Sequence, residues 1–565
     1  MDFKEQVALL ISNVIDLDKE EILNLIEIPS SDMGDFAFPC FKLAKTMRKA
    51  PNIIASEVAE KIEKKDFISN IQVVNAYINF YVNKATYVEK VLNNVLNEKE
   101  NFGNSQMGKD KTIVIDYSSP NIAKPFHIGH LRSTVIGNSL YKIYKKLGYN
   151  VVGINHLGDW GTQFGKLIVA YKKWGNKELV EKDDIKELSK IYVKFHEESE
   201  KDPSLEDEAR LWLVKMQEGD KEALELWKWF CDISMKEFER VYKMLNISFD
   251  SYAGESFYND KMQAVVDELF EKDILVESEG AKIVDLEPFN MPPCLILRSD
   301  GGTLYPTRDI AAAFYRKNEY NFEKCLYITA LDQNLHFAQW FKVIELMGYD
   351  WAKDLVHIPF GLVSLNDGKL STRKGHVVLM EDILNHAIEK TKNIIEEKNP
   401  NLENKDQVAK DVGIGAVIFN DLFNSRVKNV VFDLERMLNF QGETGPYVQY
   451  THARACSILE KENFNEDLLK NIDYSLISDE YSFELVKLLS QYPDKIVDAS
   501  NKYEPFIITR HLVNICQAFN KFYDENNIKN SEQPLKNARL AIVYATKMVV
   551  SNGLYLLGIN APEKM

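Results

Sequence analysis

The sequence predicts a multidomain α/β protein with a doubly wound parallel sheet at its centre. The apolar runs 112–118 and 150–156 have the continuous hydrophobic pattern of buried parallel strands. The segment between them carries apolar residues at helical spacing, so the three elements form a βαβ unit. Strand-like runs return after residue 281, which extends this prediction to a doubly wound domain.

The helix of the βαβ unit has the clearest pattern of these elements. Gly148 follows its last apolar position, at the place where a glycine ends many helices. Four later runs have strand character, at 281–287, 294–299, 325–330 and 355–363. The apolar positions of the helix are Ile128, Leu131, Val135, Ile136, Leu140, Ile143, Tyr144 and Leu147.

The flanking segments have different patterns. Residues 1–95 mix amphipathic helices with short strand-like runs, and the polar stretch 97–111 has the character of a linker. Residues 175–245 are heavily charged with helical periodicity, which predicts a helical insertion in the central domain. Helical periodicity dominates again after about residue 405, so the C-terminal region is predicted to be all-α.

Composition excludes several classes of protein. The chain has 565 residues, 45% of them hydrophobic, and a formal net charge of −16, which argues against a non-specific nucleic-acid coater but allows a local basic groove. Its six cysteines form no CxxC pair, so neither a zinc knuckle nor a disulfide framework is indicated. With no apolar run of transmembrane length and no N-terminal signal pattern, we expect a reducing, cytoplasmic setting and no membrane partner.

The stretch "SSPNIAKPFHIGHLRST" (118–134) places His127 and His130 three residues apart at the start of the predicted helix. A lone histidine is usually a buried polar group with satisfied hydrogen bonds. A zinc site needs three or four ligands, and only His156 and Asp159 lie near in sequence, so metal binding is disfavoured.

A phosphate site suits this placement better. The loop follows a buried strand and opens a helix, whose free N–H groups and positive dipole end favour anions. Gly129 leaves room for a base or ribose near the backbone, and Lys124 adds a donor at the same end of the helix. The strand is followed by neither G-x-G-x-x-G nor a Walker loop, which disfavours dinucleotide and P-loop sites.

These residues resemble a known family. "HIGH" (127–130) is similar to the signature of class I aminoacyl-tRNA synthetases, and the longer stretch together with "LGDWGTQFG" (157–165) resembles the arginyl-tRNA synthetases in particular. The resemblance implies a Rossmann-like doubly wound catalytic domain with a helical insertion, an N-terminal α+β additional domain that contacts the tRNA elbow, and a C-terminal all-α anticodon-binding domain. Their implied bounds are 110–385 with the insertion near 175–245, 1–100, and 405–565.

"NDGKLSTRKGHVV" (366–378) resembles the family's K-M-S-K-S loop, although a solvated basic turn is the ordinary interpretation of such a run. Thr372 stands where the family's second lysine usually lies. Many arginyl enzymes share this change and carry a lysine just before the histidine motif, which is Lys124 here, and Lys374 is a further candidate. The resemblance implies catalytic roles for His127, His130, Lys124 and Lys369, and an ATP site of His127, Gly129, His130, Lys124, Lys369, Ser371 and Lys374.

Three segments resemble the family's arginine site: "GES" (254–256), "YPTRDIAA" (305–312) and "LDQNLH" (331–336). A guanidinium is best bound by buried carboxylates in fork geometry, although any single acid is more often a surface charge or a helix cap. The implied arginine-binding residues are Ser119, Asn121, His130, Glu255, Tyr305, Asp309 and Gln333.

The ends of the chain also resemble the family. In "NAYINF" (75–80), Tyr77 and Asn79 occupy positions that read tRNA bases, with packing of Tyr77 in a strand as the alternative. "FQGETGPYVQYTHAR" (440–454) resembles part of the anticodon-binding domain, and several of its residues suit a protein core equally well. The tRNA-binding candidates there are Tyr447, Gln449, Tyr450 and Arg454.

The resemblance implies ligation of L-arginine to tRNA(Arg) in two steps. ATP with Mg²⁺ first yields arginyl-adenylate and pyrophosphate, and a terminal ribose hydroxyl of the tRNA then takes the arginyl group and releases AMP. It also implies a monomer without a structural metal and, for the first step, a requirement for tRNA. Two rivals remain: another class I synthetase, such as a glutaminyl or cysteinyl enzyme, and a catalytically dead tRNA-binding regulator.

Overall fold

A computed structural model describes residues 3–29, 33–365 and 379–565. The chain divides into two compact units. The first unit combines residues 1–99 with 458–490 and 518–546, and the second combines 100–457 with 491–517 and 547–565. Within the residues described, no helix has both the length and the apolar character that crossing a membrane requires.

The N-terminal part of the first unit is an α+β arrangement, as predicted. A three-stranded antiparallel sheet has the order β1-β3-β2, and its strands β2 and β3 form a hairpin among the short strand-like runs predicted within residues 1–95. The elements are α1 (Phe3–Ser12), α2 (Lys19–Leu25), β1 (Phe36–Pro39), α3 (Leu43–Met47), α4 (Pro51–Lys61), β2 (Ile68–Val74), β3 (Tyr77–Val82) and α5 (Lys84–Glu98).

The second unit begins with the predicted βαβ unit and the helical insertion. Residues 175–245, predicted to be helical, contain the four helices α8 to α11. The elements are β4 (Thr112–Asp116), α6 (Ile128–Lys146), β5 (Asn150–Ile154), α7 (Thr162–Trp174), α8 (Lys177–Asp183), α9 (Ile185–Ser199), α10 (Ser204–Gln217), α11 (Lys221–Leu245) and α12 (Met262–Glu271).

Two predicted strands, 281–287 and 294–299, do not join the parallel sheet. They form β7 (Ala281–Val284) and β8 (Cys294–Leu297), which pair antiparallel in a separate sheet with β6 (Leu275–Ser278). Sequence pattern identifies a strand but not its partners, because pairing depends on the path of the chain in space.

The remaining strands complete a four-stranded parallel sheet of order β10-β9-β4-β5. The chain leaves β4 toward β5 on one side and later returns beside β4 on the other, which creates a switch point between β4 and β9. Open α/β sheets bind ligands outside the carboxyl ends of their strands at such a point. The added elements are α13 (Tyr305–Tyr320), β9 (Lys324–Ala330), α14 (Asn334–Leu346), β10 (Leu355–Phe360) and β11 (Val363–Leu365).

The C-terminal region is helical apart from one short strand that the sequence did not indicate. This strand pairs in parallel with β11. The elements are α15 (Met380–Lys398), α16 (Lys405–Leu422), β12 (Val430–Phe432), α17 (Leu434–Met437), α18 (Gly445–Lys461), α19 (Glu480–Ser490), α20 (Tyr492–Lys502), α21 (Phe506–Glu525) and α22 (Gln533–Leu556).

The helix α6 lies in the core of the second unit. All eight apolar positions predicted for it are buried, and Gly148 follows its end with a φ of +85°. Several of its polar residues are buried as well: Arg132 forms an ion pair of 3.2 Å with Asp421 and donates to the backbone carbonyls of Gly361 and Lys428. The helix that follows the histidine loop is therefore fixed on several sides.

Candidate active site

The loop between β4 and α6 lies at the carboxyl end of the parallel sheet, beside the switch point. Three of its non-glycine residues have left-handed backbone conformations: Ser118 (φ 72°), Ser119 (φ 45°) and Ala123 (φ 63°). Such conformations cost of order 1–3 kcal/mol each and persist only where surrounding contacts hold them. Side chains from other elements supply those contacts, as when Asn155 accepts a hydrogen bond from the backbone N–H of Ser119.

His127 caps α6 and is paired with His130. The Nδ1 atom of His127 accepts from the N–H of Gly129 at 3.0 Å, and that of His130 accepts from the N–H of His127 at 3.2 Å. Because each Nδ1 accepts, each ring carries its proton on Nε2. Burial lowers the pKa of His130 to about 3, and burial and the charge of Lys124 lower the pKa of His127. At neutral pH both histidines are uncharged hydrogen-bond donors.

The structure gives a steric reason for glycine at position 129 that the sequence did not suggest. A Cβ atom at this position would lie 2.7 Å from Cε1 of the His127 ring. The glycine therefore allows the imidazole to fold back onto the first turn of α6. Lys124 is exposed at the same end of the helix.

Two predicted acids, Glu255 and Asp309, lie on another side of the site, and each already has a basic partner. Nη1 of Arg308 lies 3.4 Å from Oε2 of Glu255, and Nε2 of His336 lies 2.5 Å from Oδ2 of Asp309. Both partners fall inside the motifs "YPTRDIAA" and "LDQNLH", but residue type alone did not show that they meet the acids. A guanidinium arriving here must share these carboxylates or displace their partners.

Glu255 is a perturbed carboxyl group. Burial, opposed by the charge of Arg308, raises its pKa to about 7. The charge of Asp309 raises it further, and both acids raise the pKa of the Tyr305 hydroxyl beyond the effect of burial. These three predicted residues are therefore close enough to interact. Tyr305 is 60% exposed and Gln333 is also exposed, so both are accessible from solvent.

Beneath this cluster lies a buried ion pair that sequence analysis missed. Oδ2 of Asp116, at the end of β4, is 2.8 Å from Nη2 of Arg316, which is in turn 3.4 Å from Nδ1 of His156. The predicted residue Ser119 donates its hydroxyl proton to the other oxygen of Asp116 at 2.8 Å. An acid at the carboxyl end of a buried strand was the available signal.

Asn121 lies where the histidine loop meets the loop after β5. Its backbone pairs with Gly158, and a Cβ at Gly158 would lie 2.1 Å from Oδ1 of Asn121. In the same loop, Asp159 accepts hydrogen bonds from the N–H and hydroxyl groups of Ser256, next to Glu255. Among residues 3–29, 33–365 and 379–565, no three His, Cys, Asp or Glu side chains form a group that could hold a metal ion.

Comparison with known proteins identifies the family. The catalytic domain of class I tRNA synthetases (R) matches residues 91–434, the DALR anticodon binding domain matches 448–565, and the arginyl tRNA synthetase N-terminal domain matches 1–82. The arginine–tRNA ligases of Alkaliphilus metalliredigens and Clostridioides difficile are each 58% identical to this chain over the full length of both proteins. The chain belongs to the arginyl-tRNA synthetase family. This family charges tRNA with arginine through a class I catalytic domain, so the chain is a ligase.

Solved structures agree with this assignment. The arginyl-tRNA synthetase of Plasmodium falciparum superposes with a TM-score of 0.81 at 25% identity, covering 100% of this chain and 99% of that chain. The Thermus thermophilus arginyl-tRNA synthetase superposes with a TM-score of 0.85 over the whole of both chains, and at 22% identity it supports the fold alone.

The second half of the ATP site predicted for this arginyl-tRNA synthetase family member lies outside the described residues. Lys369, Ser371 and Lys374 fall in 366–378, so their roles stay predictions. The residue that follows this segment, Leu379, forms an isolated antiparallel bridge with His127.

The two predicted base-reading residues of the N-terminal region differ in exposure. Tyr77 is half-buried and packs edge-to-face on the exposed ring of Phe41, with 5.5 Å between centroids. Asn79 is 1% exposed and lies against Gly34, where an added Cβ would be 3.3 Å from the asparagine Cβ. This burial disfavours the prediction that Asn79 reads a base edge, because the amide is covered by the protein in this structure.

The four candidates on α18 also separate by burial. Tyr450 is exposed, and Tyr447 and Arg454 are half-buried. Gln449 is fully buried and donates from Nε2 to the backbone carbonyls of Asp411 (3.0 Å) and Asn560 (2.8 Å). The amide of Gln449 joins elements of the protein interior, which disfavours direct contact between this residue and tRNA.

Proposed function

We propose that the site at the switch point activates L-arginine with MgATP and passes the arginyl group to tRNA(Arg). One observation supports this most directly: two half-buried carboxyl groups, Glu255 and Asp309, lie on one side of the same strand ends that carry the histidine pair. The acids suit a guanidinium, and the histidine donors suit phosphate oxygens.

In the first step, an oxygen of the arginine carboxylate attacks the α-phosphorus of ATP and pyrophosphate leaves. The Nε2–H groups of His127 and His130 would donate to phosphate oxygens on which charge develops. Donors that are already oriented stabilise this charge without reorganisation. Both histidines are neutral, so they act by hydrogen bonding, and the positive charge near the leaving group comes from Lys124.

Selection of arginine would rest on Glu255 and Asp309, with Tyr305 and Gln333 closing the pocket and Ser119 and Asn121 near the α-amino and carboxylate end. The free site has Arg308 and His336 beside its acids. These internal partners keep the carboxyl groups oriented until the substrate guanidinium arrives. The pKa of Glu255, about 7 in the free protein, would then fall as a cation binds.

The second step transfers the arginyl group to a terminal ribose hydroxyl of the tRNA, with release of AMP. Tyr77, Tyr447, Tyr450 and Arg454 remain candidates for tRNA contact. Mg²⁺ would enter as part of the ATP substrate, held largely by phosphates and water. We further propose a cytoplasmic monomer in which residues 1–100 bind the tRNA elbow, 110–385 catalyse both steps, and 405–565 bind the anticodon.

The decisive measurement is ATP–pyrophosphate exchange with purified protein and arginine, with and without tRNA(Arg). Arginine-dependent exchange is expected, with glutamine, lysine and citrulline rejected because they leave a carboxyl group of the site without its guanidinium partner. Efficient charging of another amino acid would reassign the protein within class I. Absence of exchange in the presence of tRNA would favour a non-catalytic tRNA-binding role.

The Lys124 assignment has its own test. Lys124→Ala should lower the exchange rate while the KM for arginine changes little, because the ammonium acts on the pyrophosphate. Lys109→Ala is a matched control, since Lys109 is also exposed but precedes β4. Unchanged exchange in Lys124→Ala would refute this role.

A further inference from the structure

The insertion helix α11 holds the histidine loop through two side chains one helical turn apart. Ser234 accepts a hydrogen bond from the N–H of Ala123 at 3.0 Å, and Oε1 of Glu237 accepts from the N–H of Phe126 at 3.0 Å. Both side chains are buried. Residues three apart lie on the same face of a helix, so one turn of α11 fixes both ends of the segment that contains Lys124.

This segment needs external support. Ala123 has a left-handed backbone with φ of 63°, which a residue with a Cβ adopts only under constraint. The hydroxyl of Ser234 is itself held, because it donates to the carbonyl of Phe230 at 2.8 Å. The acceptor for the N–H of Ala123 is therefore oriented before any substrate binds.

Phe126 connects the insertion to a second part of the site. Its N–H donates to Glu237, and its carbonyl accepts from the N–H of Met380 at 2.9 Å. The next residue, His127, bridges to Leu379. Glu237 thus supports the point where the histidine loop meets the chain that follows residues 366–378.

Packing alone does not explain why a glutamate is at position 237. Glu237 is 3% exposed, and Oε2 has no hydrogen-bond partner in the described part of the chain. A buried carboxyl group with an unpaired oxygen is less favourable than an apolar side chain of similar volume. An apolar residue could not accept the hydrogen bond from the N–H of Phe126. This hydrogen bond is therefore the feature that distinguishes Glu237 from an apolar side chain.

We propose that Ser234 and Glu237 are positioning residues for adenylate formation: they hold the Ala123–Phe126 backbone so that Lys124 and His127 face the phosphates of ATP. This inference rests on the proposed function. The insertion then has a role in the chemistry as well as in the fold. The displacement that matters is small, because misplacing reacting groups by about 1 Å costs on the order of 10²-fold in rate.

The test compares Glu237→Ala, Glu237→Gln and Ser234→Ala in ATP–pyrophosphate exchange, with thermal unfolding measured in parallel. Glu237→Ala should lower kcat on the order of 10²-fold and raise the KM for ATP, with the KM for arginine unchanged. Glu237→Gln should restore most of the rate, because its amide oxygen can still accept from Phe126. Glu239→Ala is the control, since Glu239 is exposed on the same helix.

Each outcome decides between distinct conclusions. If the wild type shows no arginine-dependent exchange, the proposed function fails. If the wild type exchanges normally and Glu237→Gln is as impaired as Glu237→Ala, or the KM values for arginine and ATP rise together, the positioning role is overturned. If Glu237→Ala does not fold, Ser234→Ala carries the test, and an unchanged kcat and KM for ATP in that variant would refute the proposal.

Discussion

Arginine binding should depend on pH through Glu255. Burial raises the pKa of this carboxyl group to about 7, so near neutrality about half of the free protein carries a protonated Glu255. A guanidinium binds the ionised form far better than the neutral one. Arginine must therefore bind with release of a proton below pH 7 and without it well above pH 7.

The size of the pH dependence of arginine binding follows from the raised pKa of Glu255. If the bound guanidinium returns the pKa toward the ordinary value of 4.5, the linkage amounts to about 3 kcal/mol, taking 1.36 kcal/mol per pKa unit. The affinity for arginine should then fall by about tenfold for each pH unit below 7 and level off above about pH 8. The side chain of Glu255 is 14% exposed, so solvent screens this linkage only weakly.

The assay is the KM for arginine in pyrophosphate exchange between pH 6 and 8.5, with calorimetry in buffers of different ionisation enthalpy to count protons. Glu255→Gln should bind arginine weakly at every pH and lose the dependence. Glu319→Gln is the control, because Glu319 is exposed near the C-terminal end of α13, the helix that carries Asp309. His336→Gln separates the contribution of the imidazole that faces Asp309. A wild-type KM that is flat from pH 6 to 8 would refute the assignment.

Three further predictions concern the frame around the site. Arg132→Met should destabilise the protein by about 3–5 kcal/mol in urea unfolding, because it leaves Asp421 buried without its cation; the Asp421→Leu double variant should recover most of the loss, and failure to do so would mean that the ion pair is not the cause. His127→Asn keeps the acceptor for Gly129 but removes the Nε2 donor, so exchange should fall by about 10²-fold, whereas His127→Gln should retain more activity; equal loss in both variants would contradict the donor role. Glu237 has a pKa of about 7 in the folded state, above its ordinary 4.5, so the wild type should lose stability relative to Glu237→Gln as pH rises from 4.5 through 7, by about 3 kcal/mol in total; thermal unfolding at pH 5 and 8 measures the difference, and a constant difference would rule out this titration.

Several features of the site could be predicted from local sequence. The apolar spacing of α6 predicted its buried face. The loop before α6 contains the candidate residues His127, His130 and Lys124. The prediction for α6 is confirmed, because a helix face depends on residues close together in sequence. The motifs around Glu255 and Asp309 likewise contain the acids that we propose for arginine binding.

Other features depend on contacts between residues far apart in the chain. Nothing local pairs Asp116 with Arg316, or Glu237 with the N–H of Phe126. Burial of Gln449 likewise follows from its bonds to two distant carbonyls, although its neighbour Tyr450 is exposed on the same helix.

The sequence by itself therefore determined the family, the parallel-sheet domain with its helical insertion, and the chemical groups available for arginine and ATP. Only the tertiary structure decided which basic residue faces each acid, that both histidines are neutral, and that α11 supports the loop that contains Lys124. The physical reason is that residue types and periodicity specify local conformation and polarity. A group's protonation and hydrogen-bond partners depend on burial and on neighbours that the fold brings together.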